Sequence, residues 1–370
     1  MICPRCGKDN HNENKFCQGC GFDLADYRKK HSRGAGGVVR GLLIVILFVA
    51  IMFLCQSCVI SGFSASLMMG SGFMGMGSAA ASEDAMTDFL IGITDQIYEN
   101  MVLILLISNL LTVLVVCLLF HLMKKKPVEE MYVRYVNPLR IPMFALLGMA
   151  LNVFVSVTLS FIPLPEEIVE AFNTQYAAMY GGNIVLEVFS VAIVTGITEE
   201  LLFRGIAMKR LSPVMGRWPA IIVTAVIFGL AHGTPIAIGY ATLLGILFGF
   251  ICSSYKSVIM CIVCHVFFNL TSYLLPESNE RAMMALYVMS IAVIAFCVYR
   301  AFIRRPTFYD LVFDRNGDYG FINETEAELI GRVKQARDSD EIDMTPEELE
   351  EIFEAWEKNR EYNKKKRKEK

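Results

Sequence analysis

Between Gly41 and Ile303 the chain holds several stretches of about 18–23 residues with few or no charges. Each can cross a hydrocarbon core of about 30 Å at about 1.5 Å per residue. Only 19% of the 370 residues are charged and 54% are hydrophobic, and the charges gather in the two ends and a few short loops. The fold class this predicts is an all-α polytopic membrane protein. The expected spans are roughly 41–60, 101–123, 141–162, 183–207, 219–234, 236–253, 257–275 and 282–303. The fifth and sixth are short and close together, so the count is seven or eight. A polar segment of about 40 residues precedes the first run, so that run reads as a signal anchor and not as a cleavable signal peptide.

Lysine and arginine placement sets the orientation. Basic residues precede the first span (Arg28, Lys29, Lys30, Arg33, Arg40) and follow the second (Lys124, Lys125, Lys126, then Arg134 and Arg140). They also follow the fourth (Lys209, Arg210, Arg217), precede the seventh (Lys256) and close the eighth (Arg300, Arg304, Arg305). The intervening loops are acidic: residues 61–100 carry Glu83, Asp84, Asp88, Asp95 and Glu99, and residues 163–182 carry Glu166, Glu167 and Glu170, with no Lys or Arg in either. This alternation fits eight spans in a cell membrane, with both termini cytoplasmic. Residues 61–81, rich in Gly, Met, Ser and Ala, are expected to form an extracytoplasmic linker.

The ends read as separate units. Cys3 and Cys6 are spaced C-x2-C, as are Cys17 and Cys20, and glycine follows each pair at Gly7 and Gly21. Two such turns can hold one ion by four soft thiolates, which suits zinc. A unit this small lacks a core of its own, and a structural zinc would supply the missing stability. Residues 1–25 are therefore expected to be a four-cysteine zinc ribbon and residues 26–40 a basic linker. Two disulfides are the competing arrangement, disfavoured on the cytoplasmic side. Residues 306–370 form a soluble, charged tail. Asp314, Asn316 and Asp318 imitate the start of a calcium loop, but Tyr319 and Thr325 stand where Gly and Glu belong. Thr345, Pro346 and Glu348 then start a helix with an apolar stripe of Leu349, Ile352, Phe353 and Trp356. Ribbon and tail helix are the places for a protein partner, and lipid contacts the spans. No nucleic-acid partner is expected. Cys55 with Cys58, and Cys261 with Cys264, share helix faces, where apolar packing is the expected role.

The chemistry-bearing residues lie inside the spans. Thr198-Glu199-Glu200-Leu201-Leu202-Phe203-Arg204 sits in span four, Phe228-Gly229-Leu230-Ala231-His232 in span five, and His265-Val266-Phe267-Phe268-Asn269 in span seven. A charge at mid-membrane costs roughly 2.5–3.5 kcal/mol on insertion scales, so it marks function unless it pairs off. Glu200 and Arg204 are one turn apart and can pair. Glu199 leaves the helix about 100° away and stays free. Helical spacing puts Phe228 with His232, and His265 with Asn269, each pair on one face. Counted at about 1.5 Å per residue, Glu199, His232 and His265 all fall near mid-membrane.

These three motifs resemble those of the CAAX-protease and bacteriocin-processing family of intramembrane proteases, also called CPBP or Abi. The resemblance covers about residues 140–300 and matches every motif position: Glu199, Glu200, Arg204, Phe228, His232, His265 and Asn269. It implies an eight-helix core, with residues 136–305 as the protease unit and residues 41–135 contributing two preceding spans. It also implies a polar cavity opening to the cytoplasm and hydrolysis of a peptide bond in a membrane-associated protein or peptide. A chain of this bacterial type makes prenylated substrates an unpromising choice.

Hydrolysis needs an activated water, oxyanion stabilisation and a proton for the leaving amine. Glu199 is the expected base, since a poorly hydrated carboxylate accepts a proton more readily. His232 would share its water, His265 and Asn269 would face the oxyanion, and Glu200 with Arg204 would hold the helix and the substrate. Glu199, His232 and His265 could instead hold a catalytic zinc with a water in the fourth position. Spacing leaves both open. Two other functions fit the same residues: a proton- or cation-coupled transporter, and a non-catalytic scaffold with a role such as bacteriocin immunity.

Overall fold

A computed structural model describes residues 14–18, 21, 23–25, 35–70, 83–134, 136, 138–180, 182–255, 257–275 and 280–303. Cys3, Cys6 and Cys20 lie outside the described residues, as does the expected tail helix. The described part is a bundle of helices: α1 (Ala35–Gly70), α2 (Glu83–Glu99), α3 (Met101–Leu122), α4 (Ile141–Ser160), α5 (Glu166–Ala177), α6 (184–215), α7 (Arg217–Leu230), α8 (Pro235–Tyr255), α9 (Ile259–Thr271) and α10 (Glu280–Val298). Among the described residues the only β contact is one isolated bridge, Phe16 to Asp23.

Five helices are long and apolar enough to cross a membrane: Gly36–Gly70, Met101–Leu122, Pro138–Ser160, Pro235–Tyr255 and Arg281–Ala301. Arg217–Leu230 and Ile259–Thr271 are apolar but shorter, and α6 carries Glu187, Glu199, Glu200 and Arg204 along its length. Large apolar side chains point outward along the long helices, among them Leu43, Ile46, Leu47, Leu114 and Leu118. In water such a surface would drive association; against lipid it costs nothing.

Contacts between distant segments define two ends of the bundle. At one end, a Cβ on Gly41 would touch Arg210 O at 3.7 Å, Arg210 pairs with Glu130 and Lys209 donates to Glu129 O, and the Val258 amide donates to Tyr132 O at 3.2 Å. This end collects the basic loops. At the other, Ser190 Oγ donates to Val102 O at 2.8 Å, and the Tyr180 and Tyr273 rings lie 4.9 Å apart. This end holds the acidic segment 163–182. The alternation read from the charges is thus present as geometry.

The segments expected to be loops are more helical than expected. α1 runs on to Gly70, so residues 61–70 are not a linker. Their Ala, Met and Leu are strong helix formers, and the Ser64 and Ser66 hydroxyls donate back to Ile60 O and Phe63 O. Residues 71–82 lie outside the described residues. α5 follows Pro165 with Glu166 and Glu167 in its first turn, where acids complement the helix dipole.

The core sits where α4, α8 and α9 meet; Phe144, Leu147, Phe248, Ile251, Met260, Cys261 and Cys264 there are inaccessible. α4 and α9 cross at Gly148, where a Cβ would lie 2.1 Å from Cys264 O. Glycine is the one residue that permits so close a crossing. The expected packing role of Cys261 and Cys264 is what the structure shows, with Cys261 Sγ donating to Phe248 O at 3.1 Å; Cys55 is buried and Cys58 exposed.

Candidate active site

The Thr198-to-Arg204 motif occupies an unusual stretch of α6. A five-residue α segment, Gly196–Glu200, lies between two π-helical stretches, Val188–Thr195 and Leu201–Met208. Such wide turns recur at functional sites because they re-aim side chains without ending the helix. Thr195 Oγ1 donates to Ser190 O, five residues back, at 3.0 Å, and receives Asn109 Nδ2 from α3 at 3.0 Å.

Glu200 and Arg204 are inaccessible and paired as the spacing predicts, with Arg204 Nη1 2.7 Å from Glu200 Oε1. Arg204 Nη2 also donates to Gly245 O at 3.2 Å, and its guanidinium stacks over Phe228 at 4.4 Å and Phe248 at 5.5 Å. The pairing extends further than expected: His265 Nδ1 lies 2.9 Å from the same Glu200 Oε1. An oxygen already held by arginine acts as acceptor, so Nδ1 carries the proton and Nε2 is left for the cavity. Glu200 therefore orients His265 as well as neutralising Arg204. Among the described residues Glu200 Oε2 and Thr198 Oγ1 find no hydrogen-bond partner.

Glu199 faces the other way, one-fifth exposed, with Oε2 3.7 Å from His265 Nε2. That gap is too long for a direct hydrogen bond. Asn269 Nδ2 donates to Val191 O at 3.2 Å.

His232 is not on a helix face. α7 ends at Leu230 and His232 lies in the turn that follows, where its Nδ1 bonds Phe228 O at 2.8 Å. Gly233, at φ +82°, and Pro235 stop α7 and start α8. The i, i+4 spacing from Phe228 thus reports a capping contact. A carbonyl can only accept, so Nδ1 bears the proton and Nε2 is the free acceptor.

Glu199, His232, His265 and Asn269 all line one cavity of about 250 Å³. Phe203, Phe228 and Phe248 form its floor; α1 supplies Met52 and Gln56, and α3 supplies Ser108, Asn109 and Thr112. Residues 175–180 close it from the acidic end, with Gln175 Nε2 donating to His232 O at 2.8 Å and Thr234 Oγ1 donating to Gln175 Oε1 at 2.8 Å.

Residues 181–271 match the family model of Type II CAAX prenyl endopeptidase Rce1-like proteins. The Rce1-like match spans about a quarter of the chain and contains all six site residues of the three motifs. No curated protein and no solved structure matches the chain.

Among the described residues no three His, Cys, Asp or Glu side chains are grouped as a ready-made metal site. Glu199, His232 and His265 are the residues that would hold a catalytic zinc, His265 through the Nε2 that stands 3.7 Å from Glu199 Oε2.

Two parts of the site escaped sequence reasoning. Ser108, Asn109 and Thr112 form a buried polar stripe in an otherwise apolar span, and that signal was available. Gln175 gave none, because its role arises only where α5 folds over the turn after α7. The cavity lies toward the acidic end of the bundle.

Proposed function

We propose that the protein is an intramembrane endopeptidase that hydrolyses a peptide bond in a membrane-associated protein or peptide. The observation that carries this reading is the convergence of Glu199, His232, His265 and Asn269, from three separate segments, on one cavity inside an apolar bundle. The Rce1-like match over the same residues supports it.

In this reading Glu199 and the Nε2 of His232 hold the attacking water, and Glu199 takes its proton. Phe228 O fixes the His232 tautomer that leaves Nε2 to accept. His265 Nε2, unprotonated and facing Glu199, takes that proton from Glu199 and gives it to the leaving amine, its ring held by Glu200. Asn269 Nδ2 carries a second N–H beyond the one given to Val191 O, and that N–H meets the developing oxyanion. Arg204 fixes Glu200 by its ion pair, and Glu200 in turn holds His265 in place.

A cation path through the same residues would need an outlet below Glu199. Arg204, with Phe228 and Phe248 stacked on it, fills that space. Spans beyond the five long helices, α6, α7 and α9, complete an eight-crossing chain with both termini cytoplasmic. The four amino-terminal cysteines form a structural zinc site; Cys17 is buried, and the Gly21 amide donates to Cys17 O at 2.9 Å with Gly21 at φ +68°, the tight turn a metal knuckle requires. The deciding experiment is cleavage of a peptide library by wild type and Glu199→Gln in detergent. Equal cleavage by both, or none by wild type, would sink the reading.

A further inference from the structure

We propose that substrate reaches Glu199 from the acidic end of the bundle, between α3 and α5, and that Gln175 latches this path. This rests on Glu199 being the working residue of the site. Depth along the helices comes first. Glu199 lies ten residues from Lys209, about 15 Å from the basic end. Gln56 lies fifteen residues from Gly41, which touches Arg210, so it sits about 22 Å from that end. Asn109 lies at a similar height. The cavity therefore occupies the middle and the acidic half of the bundle.

Toward the basic end the way is shut. Glu200 and Arg204 are 0% and 1% exposed, and Ile206 and Leu211 beyond them are equally sealed. A peptide entering from there would have to break the buried ion pair.

Toward the acidic end the cover is light. None of the residues of α5 is buried. Its contacts across the bundle include the two Gln175 hydrogen bonds to the 232–234 turn, the Phe172–Tyr240 edge contact at 6.4 Å, and the stack of Tyr176 on Tyr180 at 4.0 Å, which continues to Tyr273 at 4.9 Å. An element with little buried surface opens at low cost. Opening it frees His232 O and Thr234 Oγ1, which become partners for a peptide backbone.

The test uses the full chain with Cys58→Ser, which removes an exposed thiol, in right-side-out and inverted membrane vesicles. Asn109→Cys and Gln56→Cys report the cavity and Gln175→Cys the cover, each treated with a membrane-impermeant maleimide and read residue by residue by peptide mass spectrometry. All three label faster in right-side-out vesicles. Adding Gln175→Ala raises the rate at Asn109→Cys about tenfold, the effect of releasing hydrogen bonds of ordinary strength. Labelling of the cavity reporters only in inverted vesicles, or from neither face, overturns the access route. An unchanged rate with Gln175→Ala overturns the latch. Labelling does not require cleavage, so its failure is separate from failure of the protease reading.

Discussion

Arg204 is a sharp test of the site because it is a charge sealed from solvent. Arg204→Met keeps much of the volume and removes the charge. Glu200, fully inaccessible, then keeps only His265 as a partner, and its Oε2 already has none among the described residues. Breaking a buried pair in this way costs about 3–5 kcal/mol. The guanidinium contacts with Phe228 at 4.4 Å and Phe248 at 5.5 Å add about 0.5–2 kcal/mol. Glu200→Gln alone strands the arginine and should cost a similar amount. The double variant Glu200→Gln with Arg204→Met carries no buried charge at these positions, and Gln can still accept from His265 Nδ1. It should lie within about 2 kcal/mol of wild type, giving a coupling energy of at least about 4 kcal/mol. The assay is equilibrium unfolding in mixed detergent micelles, with turnover measured on each variant. Turnover should stay low in the double variant, because His265 loses its ionised anchor. Arg204→Met within about 1 kcal/mol of wild type, or single losses that simply add, would refute the argument.

Glu199→Gln should lower turnover about 10²-fold or more while leaving the unfolding midpoint unchanged; normal cleavage with a dead, folded Glu200→Gln would reverse the two roles. Gly148→Ala places a methyl 2.1 Å from Cys264 O, so α4 and α9 must part next to His265; a loss of about 1–3 kcal/mol and reduced turnover are expected, and wild-type values would show that the crossing can relax. At the basic end, burial alone would raise the Glu130 pKa, but the Arg210 hydrogen bond and charge, with Lys125 and Lys209, bring it below the ordinary 4.5. A carboxyl lowered on folding stabilises above that ordinary value and loses its contribution as pH falls through the lower folded one. Stability measured from pH 6 to about pH 3 should therefore fall less steeply in Glu130→Gln than in wild type. Deleting residues 1–25 should leave the helical core folded and extractable in detergent; its loss on extraction would tie the ribbon to the bundle.

The fold class and the three motifs were legible because both rest on local rules. Membrane helices announce themselves by runs of apolar residues, and a buried charge stands out against them. The Glu200–Arg204 pair followed from spacing alone. What spacing could not give was the third partner, since His265 reaches Glu200 from α9 across 65 residues. Nor could it tell a helix face from a helix end: Phe228 and His232 have the right interval for either, and Gly233 with Pro235 decided for the end. The segments 61–70 and 166–177 looked like loops because their composition is polar or glycine-containing, yet each helix continues or caps itself with its own hydroxyls or acids.

α7 has a further consequence. Its fourteen residues measure about 21 Å, short of a bilayer core of about 30 Å. It begins beside Trp218, which lies half-exposed and stacked on Phe250 at 5.7 Å, and ends at Leu230, two residues before His232. The helix acts as a ruler between an aromatic ring and the nitrogen proposed to hold the attacking water. One residue added to it would move His232 by about 1.5 Å and turn it by about 100°, away from the cavity it lines with Glu199. The number of residues from Trp218 to His232 is therefore as much a part of this site as the residues themselves.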